Sequence, residues 1–224
     1  MDQLLSIMRG KVSNLARDPL IEVHDKVWRR LCQHASKGKA PIGFVSDLFG
    51  TDYDLPTGTQ RRFHEAMESY CAGALLHVGQ QASSRIPTLA EQLQTRRLSS
   101  GVTPLFALVE YAHHLQLPEH IFEHSSIQEI ERLGTDFILI QNDILSYMKE
   151  EREGVNHNLV AICRMRGMEA QEAFDCVGGM LDACYRDWYL ALSRLPSWGE
   201  DVDREVQRYI QGVMDVVLAN LNWR

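Results

Sequence analysis

Long apolar runs are missing from this chain, and no stretch approaches the roughly 20 residues needed to cross a bilayer. The opening MDQLLSIMRGK lacks the sustained apolar segment and small-residue cleavage site of a secretion signal. Cysteine is sparse: Cys32, Cys71, Cys163, Cys176 and Cys184 form no CxxC and no Cys/His zinc spacing. An odd, scattered set of this kind points to reduced thiols and a cytoplasmic location. Positive charge is in deficit, with 23 Lys and Arg against 30 Asp and Glu and a formal net charge of −7. That balance argues against a nucleic-acid binder, whose footprint is basic. Any anionic ligand must be held by a few local cations or by a metal. Internal repeats and low-complexity tracts are also absent, and no alternating stretch is long enough to insist on a sheet.

What remains is helical periodicity. The 224 residues suffice for one good-sized core, and 45% hydrophobic with 24% charged residues is ordinary for a globular protein. Apolar periodicity predicts helices near 2–17, 20–36, 59–82, 103–116, 126–152, 155–167, 169–194 and 200–221. Breaks fall at 46–58 (SDLFGTDYDLPTG), at 96–104 (RRLSSGVTP) and at 195–201 (LPSWGED), where Gly, Pro and acidic turn formers cluster. The expected fold is all-α, a helical bundle with sites built between facing helices, as one domain over 1–224.

The segment 126–152, SIQEIERLGTDFILIQNDILSYMKEER, carries the chemistry. At 100° per residue, Ile127, Ile130, Leu133, Phe137, Ile140, Ile144 and Met148 fall in one stripe. Asn142, Ser146 and Glu150 are spaced i, i+4, i+8 and stack along a nearly opposite face. An amide carbonyl, a hydroxyl and a carboxylate in a row can hold one hard divalent cation. With a single formal negative charge, such a site leaves the metal net positive and suited to a polyanion. Spacing alone fits equally well the solvated face of any amphipathic helix.

The residues themselves decide between these readings. NDILSYMKE fits the N-D-x-x-S-x-x-x-E signature of class I terpene synthases, and average residue usage would produce it by accident in on the order of a few chains per thousand. It is followed by EREGVNHNLV, with Gly, His-Asn and Val placed as in that family. It is preceded by YAHHLQLPEH, similar to the family's Leu-Pro turn into the motif helix, and NLNW at 220–223 is similar to the family's Asn-Leu-x-Trp. From about residue 60 onward the chain resembles the fungal, basidiomycete-type class I sesquiterpene synthases. The resemblance implies a class I terpenoid synthase bundle that converts farnesyl diphosphate to a sesquiterpene with release of diphosphate. It implies magnesium as cofactor, held by Asn142, Ser146 and Glu150.

In TRRLSSGVTP the resemblance makes Arg97 the diphosphate sensor, Ser100 a linker and Gly101 a helix-break effector, with Arg97 and Gly101 as the catalytic pair. A guanidinium forks onto phosphate oxygens, and glycine at a helix interruption lets a carbonyl turn into a cavity. Lys149 is similar to the family's diphosphate-contacting lysine, and a snorkelling surface lysine is the competing reading. Phe63, Tyr70, Phe106 and Tyr111 could offer aromatic faces to a carbocation, or serve as ordinary core.

Two family features are not found. Asp47, Asp52 and Asp54 sit in a Gly/Pro loop with the wrong spacing for an aspartate-rich metal motif. Arg208-Tyr209 precedes NLNW, where the family's Arg-Tyr pair follows it. Val216 and Ala219 stand where relatives tend to have Trp and Gly. The expectation is a domain incomplete at both ends, with exposed apolar faces that favour a partner such as a homodimer. The alternative function is a catalytically silent helical protein that binds magnesium or diphosphate, or serves only as an interaction module. A prenyl transferase would need two aspartate-rich motifs. A hydrolase built on His113-His114 is disfavoured because adjacent helical residues point about 100° apart.

Overall fold

A computed structural model describes residues 58–81 and 85–222, and the helices expected at 2–17 and 20–36 and nearly all of the loop at 46–58 lie outside them. The described residues form α1 (Gly58–Gln81), α2 (Leu89–Ser99), α3 (Thr103–His113), a single turn α4 (Glu119–Phe122), α5 (Ser125–Glu153), α6 (Leu159–Met165), α7 (Ala170–Ser193) and α8 (Glu200–Asn222). No strand occurs among them. No described helix is long and apolar enough to cross a membrane.

The long helix α5 is the axis of the bundle. It packs against α7, α8, α6, α2 and α3, while α1 lies against α2 and α3. Every residue from 133 to 140 is buried, so the middle of α5 is covered on all sides and its apolar stripe is only part of what it hides. Phe137 meets Tyr185 and Trp188 of α7 edge-to-face at 5.2 and 5.8 Å between centroids, and Tyr147 meets Phe174 at 5.5 Å. Such pairs add about 0.5–1.5 kcal/mol beyond area burial. α5 ends where Gly154 turns left-handed at φ 71° and Val155 N–H bonds the Glu150 carbonyl, a closure that glycine makes without steric cost.

One helix escaped the sequence reading. α2 runs through Ser99, and Thr88 and Glu91 cap it reciprocally: Glu91 N–H donates to Thr88 Oγ1 at 3.2 Å and Thr88 N–H donates to Glu91 Oε2 at 2.7 Å. That capping box stabilises the first turn, and the break expected at 96–104 contracts to Ser100–Val102. α6 begins four residues later than expected because Asn158 supplies its N-cap.

Candidate functional site

The turn between α2 and α3, α3 itself and the facing sides of α5 and α8 border an open cavity of about 740 Å³. Arg96, Gly101, Leu108, Ile138, Asn142 and Val216 represent its sides. Gly101 stands at φ +69°, a conformation that costs other residues strain. The expected effector glycine and the first expected metal ligand therefore face one space.

Asn142, Ser146 and Glu150 share α5 as expected, but their surroundings are not those of a solvated face. Ser146 is 8% exposed and the neighbouring Asp143 is fully buried, whereas Met148, placed in the apolar stripe by periodicity, is 53% exposed. A rise of about 1.5 Å per residue separates the Asn142 and Glu150 Cα atoms by about 12 Å. An ion shared by all three would need the Asn142 and Glu150 side chains to reach towards Ser146, which the N-terminal tilt of helical side chains favours for Glu150. Ser146 Oγ donates its hydrogen to the Asn142 carbonyl at 2.7 Å, which leaves its lone pairs outward. Glu150 Oε2 accepts from Asn158 Nδ2 at 2.9 Å. Among the described residues no group of three or more His, Cys, Asp or Glu gathers to hold a metal. A metal here depends on the mixed amide, hydroxyl and carboxylate set, and those hard oxygen donors fit magnesium.

The two arginines ending α2 part company. Arg97, expected to face the ligand, forks onto Asp136 of α5, with Nε and Nη2 each 2.7 Å from a carboxylate oxygen. It is Arg96 that lines the cavity. Arg96 pairs with Asp143 Oδ1, while its Nε is buried with no hydrogen-bond partner. Lys149 is exposed, 3.9 Å from Glu153, a pair worth little in water. Of the four aromatics considered, Phe63 and Phe106 are core residues and none of the four lines the cavity.

The sequence reading missed the polar knot behind the site. Asp143 Oδ2 accepts the Leu159 N–H at 2.7 Å. Burial pushes its carboxyl up to about 6 even though the Arg96 guanidinium opposes the change. His157 bridges Gln92 and Ser99 of α2 at 3.0 Å each. Burial first, then the positive Arg96, holds its imidazole down to about 3, hence neutral. The string His157-Asn158 was visible as part of the resemblance, but its role depends on partners in α2 and α5.

An all-α bundle in which Arg96, Gly101 and Asn142 line one partly apolar cavity, with Ser146 and Glu150 further along α5 outside its lining, belongs with helical bundles that build sites between facing helices. Comparison narrows the class. Residues 2–187 match the family described as terpene synthase family 2, C-terminal metal binding, and the chain belongs to that family. It is 38% identical over 197 residues to a silphinene synthase of Penicillium patulum, covering 88% of this chain and 48% of the relative. It is 30% identical over 226 residues to a sesquiterpene synthase of Cyclocybe aegerita, covering all of this chain and 64% of the relative. The chain spans about half the length of the first of these curated relatives. The crystal structure of linalool/nerolidol synthase from Streptomyces clavuligerus shares the fold with TM-score 0.78 and 19% identity, over 99% of this chain and 70% of that one.

Proposed function

We propose that this chain forms the metal-binding, catalytic part of a class I terpene synthase that takes farnesyl diphosphate with magnesium. It releases diphosphate and yields a sesquiterpene. The observation that carries the reading is that Asn142, Gly101 and Arg96 face one cavity whose other walls include Leu108, Ile138 and Val216. A charged head and a hydrocarbon tail can share such a space. The names of the relatives supply the fifteen-carbon class.

In the reaction the allylic C–O bond breaks, its electron pair leaves with diphosphate, and the prenyl cation cyclises and loses a proton. Magnesium, when bound, supplies Lewis-acid stabilisation of the departing oxygens. Asn142, Ser146 and Glu150 would hold the metal. Arg96 presents a guanidinium to the departing anion from the cavity wall. Arg97 serves the same end by fixing α2 on Asp136, and Gly101 shapes the turn beside it. Lys149 attends the diphosphate from the exposed side of α5. Leu105, Leu108, Ile138 and Val216 supply the apolar side of the cleft, against which the hydrocarbon part of the substrate would lie. Cys71, Cys163, Cys176 and Cys184 are free thiols, which suits a reducing cytoplasm.

The test is incubation of the purified chain with farnesyl diphosphate and magnesium, following hydrocarbon by gas chromatography and diphosphate release. A cyclic product that is lost in Glu150→Gln supports the reading. A folded wild type that gives neither product ends the cyclase claim for this chain.

A further inference from the structure

We propose that Asn158 is a positioning residue for the metal site, its side-chain amide holding the Glu150 carboxylate in place to take a divalent cation. The proposal rests on the reading of Asn142, Ser146 and Glu150 as metal ligands, and it assigns a residue eight positions beyond the last of them. Asn158 is fully buried. Its Nδ2 donates to Glu150 Oε2 at 2.9 Å and to the Asp143 carbonyl at 2.8 Å. Its Oδ1 accepts from Val160 N–H at 2.8 Å and from Ala161 N–H at 3.3 Å. Both donors and both acceptor sites of the amide are thus used. The orientation is over-determined: a flipped amide would set NH₂ against two N–H groups and oxygen against two oxygens.

Glu150 gains from this in two ways. It lies near the capped C-terminus of α5, on a long side chain whose rotamer freedom costs free energy to remove. One amide bond fixed from behind removes part of that freedom before any metal arrives. The donor is also neutral. A lysine or arginine in its place would compensate the carboxylate charge, whereas an amide leaves the full negative charge for a cation. The bond to Oε2 is the one side-chain hydrogen bond Glu150 accepts among the described residues, so one oxygen is held and Oε1 keeps its lone pairs uncommitted. Asp143, through Leu159 N–H, pins the same turn and keeps the amide at its station.

A purely structural role is the competing account, since Asn158 also caps α6. Asn158→Ser separates the two, because serine is as good an N-cap as asparagine but carries no amide donor to Glu150. Asn158→Thr is a second cap-retaining variant should serine fail to fold. Mn²⁺ binding to the 224-residue chain is followed by electron paramagnetic resonance, with and without inorganic diphosphate, in wild type, Asn158→Ser, Glu150→Gln and the double variant. Far-ultraviolet circular dichroism reports the fold. The expected result is a loss of Mn²⁺ affinity of about 10–100-fold in Asn158→Ser, the usual cost of removing a ligand's supporting hydrogen bond. In the Glu150→Gln background the same change should have no further effect. Wild-type affinity in folded Asn158→Ser, or an equal loss with and without Glu150, overturns the proposal. A folded wild type that binds no Mn²⁺ in either condition overturns the metal reading itself, and the proposal with it.

Discussion

Glu131→Gln should abolish a pH dependence of stability that burial writes into the fold. Glu131 of α5 borders a second cleft of about 350 Å³ together with Arg62, Glu110 and Tyr209. Tyr209 O–H donates to Glu131 Oε1 at 2.5 Å. Burial pushes the Glu131 carboxyl from 4.5 up to about 7; the Tyr209 hydrogen bond opposes that rise, Glu110 adds to it, and Arg62 opposes it. At about 1.4 kcal/mol for each pH decade between the two values, the difference amounts to at most about 3 kcal/mol. Water entering the cleft makes that an upper bound. Between pH 4.5 and 7 the folded chain keeps this proton while the unfolded chain has released it. Stability therefore falls as pH rises through the window, and the full loss is in place above pH 7. Glutamine keeps an acceptor for Tyr209 but cannot ionise. Urea unfolding at half-unit steps from pH 4.5 to 8 measures the difference between variant and wild type, in which titrations elsewhere cancel. The variant should gain on wild type across the window, reaching up to about 3 kcal/mol at pH 8. A difference that does not change with pH would refute the reasoning.

Glycine clearance predicts opposite signs for two alanine substitutions. A Cβ at Gly73 would lie 2.5–2.6 Å from the backbone and Cβ of Leu98, so Gly73→Ala should cost about 2 kcal/mol by urea unfolding. Gly179 has nothing within 4 Å, and Gly179→Ala should gain about 0.5–1 kcal/mol from helix propensity. Arg96→Gln should weaken binding of inorganic diphosphate with magnesium about tenfold by calorimetry, the order of one charge-assisted hydrogen bond. Arg97→Gln should weaken it less. By urea unfolding Arg96→Gln should also cost about 3 kcal/mol, because Asp143 is left buried with no cation, and Arg97→Gln less, because Asp136 keeps Arg132. Val216→Phe, which adds bulk to the cavity wall, should shift products towards less cyclised hydrocarbons by gas chromatography.

Much of this molecule was legible where information is local. The motif helix predicted over 126–152 is observed over Ser125–Glu153, because one sustained period fixes a helix and a glycine ends it. α2 was hidden because the Ser-Ser-Gly-Val-Thr-Pro run behind it reads as a break. The Thr88-x-x-Glu91 box was the available signal, and only Ser100–Val102 of the expected break lies between helices. That oversight explains the arginines as well. The sequence reading named Arg97 alone. On a helix Arg96 and Arg97 diverge by about 100°, and they reach different carboxylates of α5: Arg97 pairs with Asp136, whereas Arg96, which also lines the cavity, pairs with Asp143.

The remaining misreadings share a physical cause. A period locates an apolar stripe, but it cannot say how many neighbours a helix will have. With α2, α3, α6, α7 and α8 all packed on α5, polar residues opposite the stripe became buried, and each then needed a partner. Asp143 found Arg96, 47 positions away in sequence, and Leu159 N–H, 16 away. Glu150 found Asn158. An unpaired buried charge would cost several kcal/mol, so these partners are as necessary to the site as the residues they serve. No local pattern announces them, because the requirement arises only when the bundle closes. The three-residue motif is therefore the visible part of a larger polar unit, and the metal role proposed for it would depend on the closure of α2 and α6 against α5.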